Sequence, residues 1–382
     1  MSKNQAADHA SERESCGVFP FKRMNEKPFS STLGGLKKDQ FVQLTLTRPD
    51  DWHLHLRDGA ALATTVPDTA RSFYRAIVMP NLRPPVVTVD AAIAYRDRIL
   101  AAVPNGMTFD PLMTLYLTPD LGPEIIKEAA SSEHVYGVKL YPQGATTNSD
   151  AGVASLDRVM PTLEAMADTG LPLLIHGEVT DRSIDIFDRE AVFLDRTLGP
   201  LMQRLPNLRV VLEHITTNDS VDFVKANPGM GATITVHHLM YERNDMLAGG
   251  IRPHLYCLPI LKRSLHRDAL IEAATSGSQQ FFLGTDSAPH GIDDKESDCG
   301  CAGCYTAPFA LELYAEVFEA QGKLDQLEGF ASFNGADFYG LARNTETITL
   351  ERTESLIPLT RPLGNKEVRL LRGGETVAWS LA

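Results

Sequence analysis

The sequence predicts an α/β protein built on a (β/α)8 barrel of the TIM type, with a mobile N-terminal arm and a small C-terminal appendage. Three observations point there. Short apolar runs rich in β-branched residues alternate with longer segments of helical period, the pattern of a parallel sheet with helical crossovers. The runs number eight. Histidine, lysine and aspartate fall within or just after several of them, and the strand ends of a barrel open onto one common face.

The runs lie at 52–56, 76–79, 109–117, 137–141, 171–175, 209–212, 232–236 and 281–284. Helical period fills 90–103, 123–131, 156–169, 189–205, 220–226 and 266–276 between them. The barrel is therefore placed at 41–345. Residues 1–40 mix charges with Ser, Asn and Gly without sustained period, and read as a flexible extension or an over-long start, with Met24 as an alternative initiator. The interval 237–262, with Gly249-Gly250 and two proline-containing stretches, reads as an extended loop over one face. Helical segments at 308–321 and 324–333 follow the eighth run. The appendage, 346–382, packs on the barrel and holds two short extended segments around Gly373-Gly374.

A formal charge of −13 and a pI near 5.3 argue against a nucleic-acid or anionic-membrane partner, both of which need a positive field. No apolar run approaches the roughly 18 residues of a spanning helix, and the first thirty lack the apolar block of a secretory signal. The expectation is a cytoplasmic protein acting on small molecules. Five cysteines are too few for a disulfide scaffold, and their odd number leaves one unpaired. Cys299-Gly300-Cys301-Ala302-Gly303-Cys304 lacks a second cysteine pair at zinc-ribbon spacing, so it reads as a Gly-rich turn with free thiols.

His53 and His55 stand two apart in an extended run and so share a face, with Arg57 just beyond. Asn81 follows the second run, Lys139 sits inside the fourth, His176 ends the fifth, His214 follows the sixth and Asp286 the eighth. Each alone has a plainer reading. A strand-end histidine is usually a satisfied polar residue, Asp after Gly-Thr is commonly a helix N-cap, and Arg57 could pair with a surface carboxylate. Together they place four histidines and an aspartate at one end of a barrel, the donor set of a divalent metal site beside an anion anchor. Lys139, flanked by Val138 and Leu140, would be desolvated, and a neutral amine can take up carbon dioxide as a carbamate. The alternative is a barrel lysine paired with Asp or Glu.

These residues resemble the barrel metal hydrolases of the amidohydrolase superfamily, which carry His-x-His on the first strand, Lys or a carboxylate on the fourth, His on the fifth and sixth and Asp on the eighth. More closely, Pro49-Asp50-Asp51-Trp52-His53-Leu54-His55-Leu56-Arg57-Asp58, Val78-Met79-Pro80-Asn81-Leu82, Val138-Lys139-Leu140-Tyr141-Pro142, Ile175-His176-Gly177-Glu178-Val179, Glu213-His214-Ile215-Thr216-Thr217 and Gly284-Thr285-Asp286-Ser287-Ala288-Pro289-His290 resemble the single-function bacterial and fungal dihydroorotases. The likeness runs over about 47–341 and includes the Cys299 to Cys304 segment, read as a substrate-side loop.

The resemblance implies a binuclear centre of two Zn2+ bridged by hydroxide and by Lys139 as N6-carboxylysine, its carbamate derived from CO2. His53, His55 and Asp286 would hold one zinc, His176 and His214 the other, with Asp286 as the catalytic proton carrier. The substrates implied are N-carbamoyl-L-aspartate and L-dihydroorotate, interconverted reversibly in pyrimidine synthesis. Arg57, Asn81 and His290 would anchor the α-carboxylate, with His176 bordering the substrate. Backbone at Leu258 and Ala302 would read the ring edge, and Thr146 and Thr147 would close over it. The family also implies a homodimer. Two alternatives stand beside this reading: another cyclic amidohydrolase of hydantoinase or dihydropyrimidinase type, and an inactive barrel serving as a scaffold for aspartate transcarbamoylase.

Overall fold

A computed structural model describes residues 43–382; the arm at 1–40 and Met24 lie outside the described residues. Strand β1, Gln43–Thr47, precedes eight parallel strands: β2 Asp51–Leu54, β3 Arg75–Val78, β4 Asp110–Tyr116, β5 Val135–Leu140, β6 Leu173–His176, β7 Val210–Glu213, β8 Gly231–Ile234 and β9 Phe281–Leu283. They pair in chain order from β2 to β9. Each matches one of the eight apolar runs. The ring closes between its ends through Asp286 N donating to His53 O at 2.9 Å and His55 N donating to Ser287 O at 3.1 Å.

Alternation along the strands explains where the core sits. Ala76, Val78, Val138, Leu140, Leu173, Ile175, Val210 and Leu212 pack into the large cluster shared with the helices. The opposite face supplies Ile77, Leu112, Leu174, Val211 and Phe282, which form a second, smaller cluster with Trp52. Two residues further along, on that same face, stand His176 after Leu174 and Glu213 after Val211. The barrel interior is thus apolar toward one end and polar toward the C-terminal end of the strands. Gly137 makes room for this filling, since a Cβ there would meet Leu174 side-chain carbons at 3.1 Å.

Two expectations need correction. The helical segment 189–205 is not one regular α-helix: Arg189–Phe193 and Gly199–Arg204 flank a wider π-type turn, Leu194–Leu198. Pro200 has no N–H to donate to the preceding turn, which accounts for the change of winding. The interval 237–262 is also more ordered than an extended loop, because short helices Val236–Met240 and Arg243–Leu247 occupy it. Thr235 caps the first by accepting from His238 N.

Beyond the barrel, β10, Thr347–Glu351, pairs antiparallel with β1, and Ser380–Leu381 pairs with β10 in turn. Hairpin Thr360–Leu363 with Lys366–Arg369 and the pair Ser355–Leu356 with Thr376–Val377 complete the tail. No helix among the described residues is long and apolar enough to cross a membrane.

Candidate metal centre

Three donor atoms converge at the end of β2. His53 Nε2 and His55 Nε2 are 3.3 Å apart, and Asp286 Oδ1 lies 3.3 Å from the first and 3.2 Å from the second. Two ligand atoms about 2.1 Å from one cation at a tetrahedral angle are about 3.4 Å apart, so this triangle has the size of a metal's coordination edge. Tautomers also fit. Asn81 Oδ1 accepts from His55 Nδ1 at 3.0 Å, which leaves Nε2 with its lone pair facing the other donors. Burial, with Arg57 beside it, lowers the His55 pKa to about 4, so the ring is the neutral form that a cation requires. Burial alone would lower His53 as well, but Glu213 and Asp286 outweigh it and hold that ring near 9.

The ring of His214 lies 4.8 Å from His53 and 4.9 Å from His176, centroid to centroid, so the four histidines form one chain across the barrel mouth. His214 Nδ1 is buried without a hydrogen-bond partner among the described residues. Glu178 Oε2 accepts from His176 Nε2 at 2.8 Å, turning the other ring nitrogen free. His53, Glu213 and His214 form a second buried three-donor group, which shares His53 with the first.

Lys139 is completely buried in β5 and bonds Glu213 Oε2, the pairing that the sequence left open for a barrel lysine. Burial pushes its pKa down against the pull of Glu213. Glu213 Oε1 stands 3.0 Å from His53 Nδ1 without the alignment of a hydrogen bond. Sequence reasoning missed Glu213 as a site residue. Its signal was present, since period-two alternation from Val211 aims it into the barrel.

His55, Arg57, Asn81, Thr146, Thr147, His176, His214, Leu258, Asp286 and Ala302 line one cavity. His290 borders it through Arg57, with Nε2 2.9 Å from Arg57 Nη2 and 3.0 Å from Ala302 O. Arg57 Nε donates to Pro289 O at 3.1 Å, while Nη1 has no partner among the described residues. Asn81 Nδ2 donates to Thr147 O at 3.1 Å, which holds the threonine loop over the cavity. Tyr141, also in the lining and also missed, keeps a buried hydroxyl without a partner among the described residues.

The cysteine segment forms part of the cavity wall. Lys295 Nζ donates to the carbonyls of Tyr256, Cys301 and Gly303 at 2.8, 2.9 and 2.7 Å, which fixes the turn. Gly303 has φ +148°, and a Cβ there would come within 2.6 Å of Ala288 O. Among the described residues, no three-ligand group includes Cys299, Cys301 or Cys304. His237, His238 and Cys257 do form such a group, but His238 has both ring nitrogens engaged, by Thr235 Oγ1 and Pro259 O.

The amidohydrolase family profile matches residues 50–359. Dihydroorotase of Cupriavidus taiwanensis is 65% identical over 338 residues, which cover 88% of this chain and 98% of that protein. The crystal structure of dihydroorotase from Campylobacter jejuni superposes with a TM-score of 0.83 at 37% identity, covering 90% of this chain and 98% of that one. Dihydroorotase of Saccharomyces cerevisiae, solved in complex with 5-fluoroorotic acid, gives 0.81 at 34% identity, with coverage of 89% and 98%. With histidines and aspartate gathered at the barrel mouth as this chemistry requires, the chain belongs to the amidohydrolase family and, within it, to the single-function dihydroorotases.

Proposed function

We propose that the enzyme interconverts N-carbamoyl-L-aspartate and L-dihydroorotate in pyrimidine synthesis, with two zinc ions at the barrel mouth. The observation that carries this is the triangle of His53, His55 and Asp286 donors in the cavity that Arg57 and Asn81 also line. Those three residues would hold one zinc, and His176 with His214 the other. Lys139, converted by CO2 to a carbamate, would bridge them, exchanging its contact with Glu213 for two cations. When bound, the cations polarise the reacting carbonyl and bring the pKa of water toward neutrality.

The remaining work falls to the chain. Arg57 offers a guanidinium edge to the substrate α-carboxylate, with Asn81 and His290 beside it. Backbone groups of Leu258 and Ala302 read the ring edge, and His176 borders it. Asp286 turns Oδ1 to the two histidines, which leaves Oδ2 to accept the proton of the attacking water and pass it to the departing ring nitrogen. In the direction of ring closure the carbamoyl nitrogen attacks the protonated side-chain carboxyl, and Asp286 takes the nitrogen's proton and delivers it to the departing hydroxyl, which leaves as water. Thr146 and Thr147, above the cavity, exclude solvent while this occurs. We further infer a cytoplasmic homodimer, in keeping with the free thiols among the described residues and with the family.

The test is turnover of both compounds by purified, zinc-supplied protein beside a chelator-stripped sample. Metal-dependent interconversion in both directions is expected. A folded protein holding two zincs per chain and turning over neither compound would sink the reading.

A further inference from the structure

His176 and His214 are both braced by carboxylates from one stretch of chain. Glu178 meets His176 directly. Glu190, in helix Arg189–Phe193 and 1% exposed, instead turns to the segment that follows His214. Its two carboxylate oxygens accept from Thr216 N at 3.0 and 3.1 Å, and Oε1 accepts from Thr217 N at 2.9 Å and Thr217 Oγ1 at 2.7 Å. The hydroxyls of Thr216 and Ser220 donate to it as well. Two backbone amides and three hydroxyls thus converge on one carboxylate at the start of helix Asn218–Ala226, where the helix dipole favours negative charge. Burial would raise its pKa, but Lys262 and the hydroxyl donors outweigh that and hold it below the ordinary value.

His214 itself has φ +42°, a conformation that a residue with a side chain adopts only when its surroundings impose it. Thr233 fixes one side, with Oγ1 accepting from His214 N at 2.7 Å and its carbonyl from Ile215 N at 3.1 Å. Glu190 fixes the other. The His53, His55 and Asp286 triangle has different supports: Asp51 accepts from Thr285 N at 2.8 Å and His53 N at 3.2 Å, and Asn81 orients His55.

We infer that Glu190 is a positioning residue for the reaction: by gripping Thr216 and Thr217 it holds His214 in its strained orientation and so retains, selectively, the cation shared with His176. The inference rests on the two-cation reading above. Glu190→Gln keeps the shape of the side chain but removes its charge and one of its two acceptor oxygens, setting an amide N–H2 against the Thr216 backbone N–H, which can only donate. Thr216→Val is the milder partner, removing one hydroxyl and no charge.

The experiment follows zinc content during chelator challenge, the spectrum of the cobalt-substituted protein, kcat, KM and melting temperature in wild type and both variants. In Glu190→Gln one of two metals should leave roughly 10- to 100-fold more readily, the usual range for losing an outer support of a metal ligand. The cobalt spectrum should lose one component, and kcat should fall with KM nearly unchanged, since Arg57 and Asn81 are untouched. Excess zinc should restore kcat. Thr216→Val should move the same way by less. If both variants keep two metals as tightly as wild type while only the melting temperature drops, Glu190 serves the fold alone and the inference is overturned. A wild-type protein that binds no zinc would instead overturn the two-cation reading.

Discussion

Arg57, His214 and Asp286 have φ of 63°, 42° and 42°, and all three line the same cavity. A left-handed backbone at a non-glycine residue carries about 1–2 kcal/mol of strain, so its concentration at these positions marks where geometry is set by chemistry more than by local stability. At His214 the consequence can be followed. Alternation along β7 aims Glu213 into the barrel and would send His214 outward; the reversed φ brings both to the centre. Arg57→Ala should raise KM for dihydroorotate roughly 10- to 100-fold, the loss expected for a charge-assisted pair of about 1.5–3 kcal/mol, while zinc content stays at the wild-type value. An unchanged KM in steady-state assays would remove Arg57 as the carboxylate anchor. Lys139→Ala should abolish activity and weaken metal retention, and short carboxylic acids should partly restore turnover by filling the gap. Tight retention of two zincs by the plain variant, measured by metal analysis, would exclude a bridging carbamate.

Among the elements, the contact between β9 and β2 is sensitive to volume, because it both closes the barrel and sets Asp286 against His53 in β2 and His55 just beyond it. Gly284 permits it: a Cβ there would lie 2.7 Å from Thr233 Cβ and 3.1 Å from His53 Cβ. Gly284→Ala should therefore destabilise the fold by about 1–3 kcal/mol, the usual consequence of overpacking, readable as a lower denaturant midpoint. Metal affinity should fall with it. The threonine loop acts differently, since Thr146 and Thr147 line the cavity and belong to no strand or helix. The double change Thr146→Val with Thr147→Val should lower kcat/KM while leaving the unfolding midpoint within about 0.5 kcal/mol of wild type, as for substitutions away from the core. An equal loss of stability would mean that the loop is part of the fold and not a cover.

At the level of the whole molecule, the many buried carboxylates make stability depend on pH, and Glu190 gives a definite sign. Its folded pKa lies below the ordinary glutamate value of 4.5, so its contribution is fully present above that value and is lost as pH falls through the folded pKa. Urea midpoints should hold near neutrality and decline below about pH 4.5, with a shallower decline in Glu190→Gln. A parallel decline in the two proteins would assign the acid sensitivity elsewhere. Chelation should lower the melting temperature by several degrees, and added zinc should restore it, because a ligand bound only by the native state stabilises by mass action.

The sequence by itself determined the eight strands and the positions of His53, His55, Lys139, His176, His214 and Asp286, because strand alternation and strand ends are local patterns that a barrel converts into one face. By ligand count it also favoured a Gly-rich turn with free thiols over a cysteine metal knot. It did not reveal Glu213, Asp51, Glu178 or Glu190 as supports, nor the π-type turn after Phe193. These depend on which atoms meet across the barrel: Asp51 finds Thr285 across 234 residues and Glu190 finds Thr216 across 26. A carboxylate's partners in space are not encoded in its neighbours along the chain. Only the tertiary structure decided that one ring nitrogen of His55 and one of His176 are occupied by Asn81 and Glu178, which leaves the other nitrogen of each unoccupied by those partners.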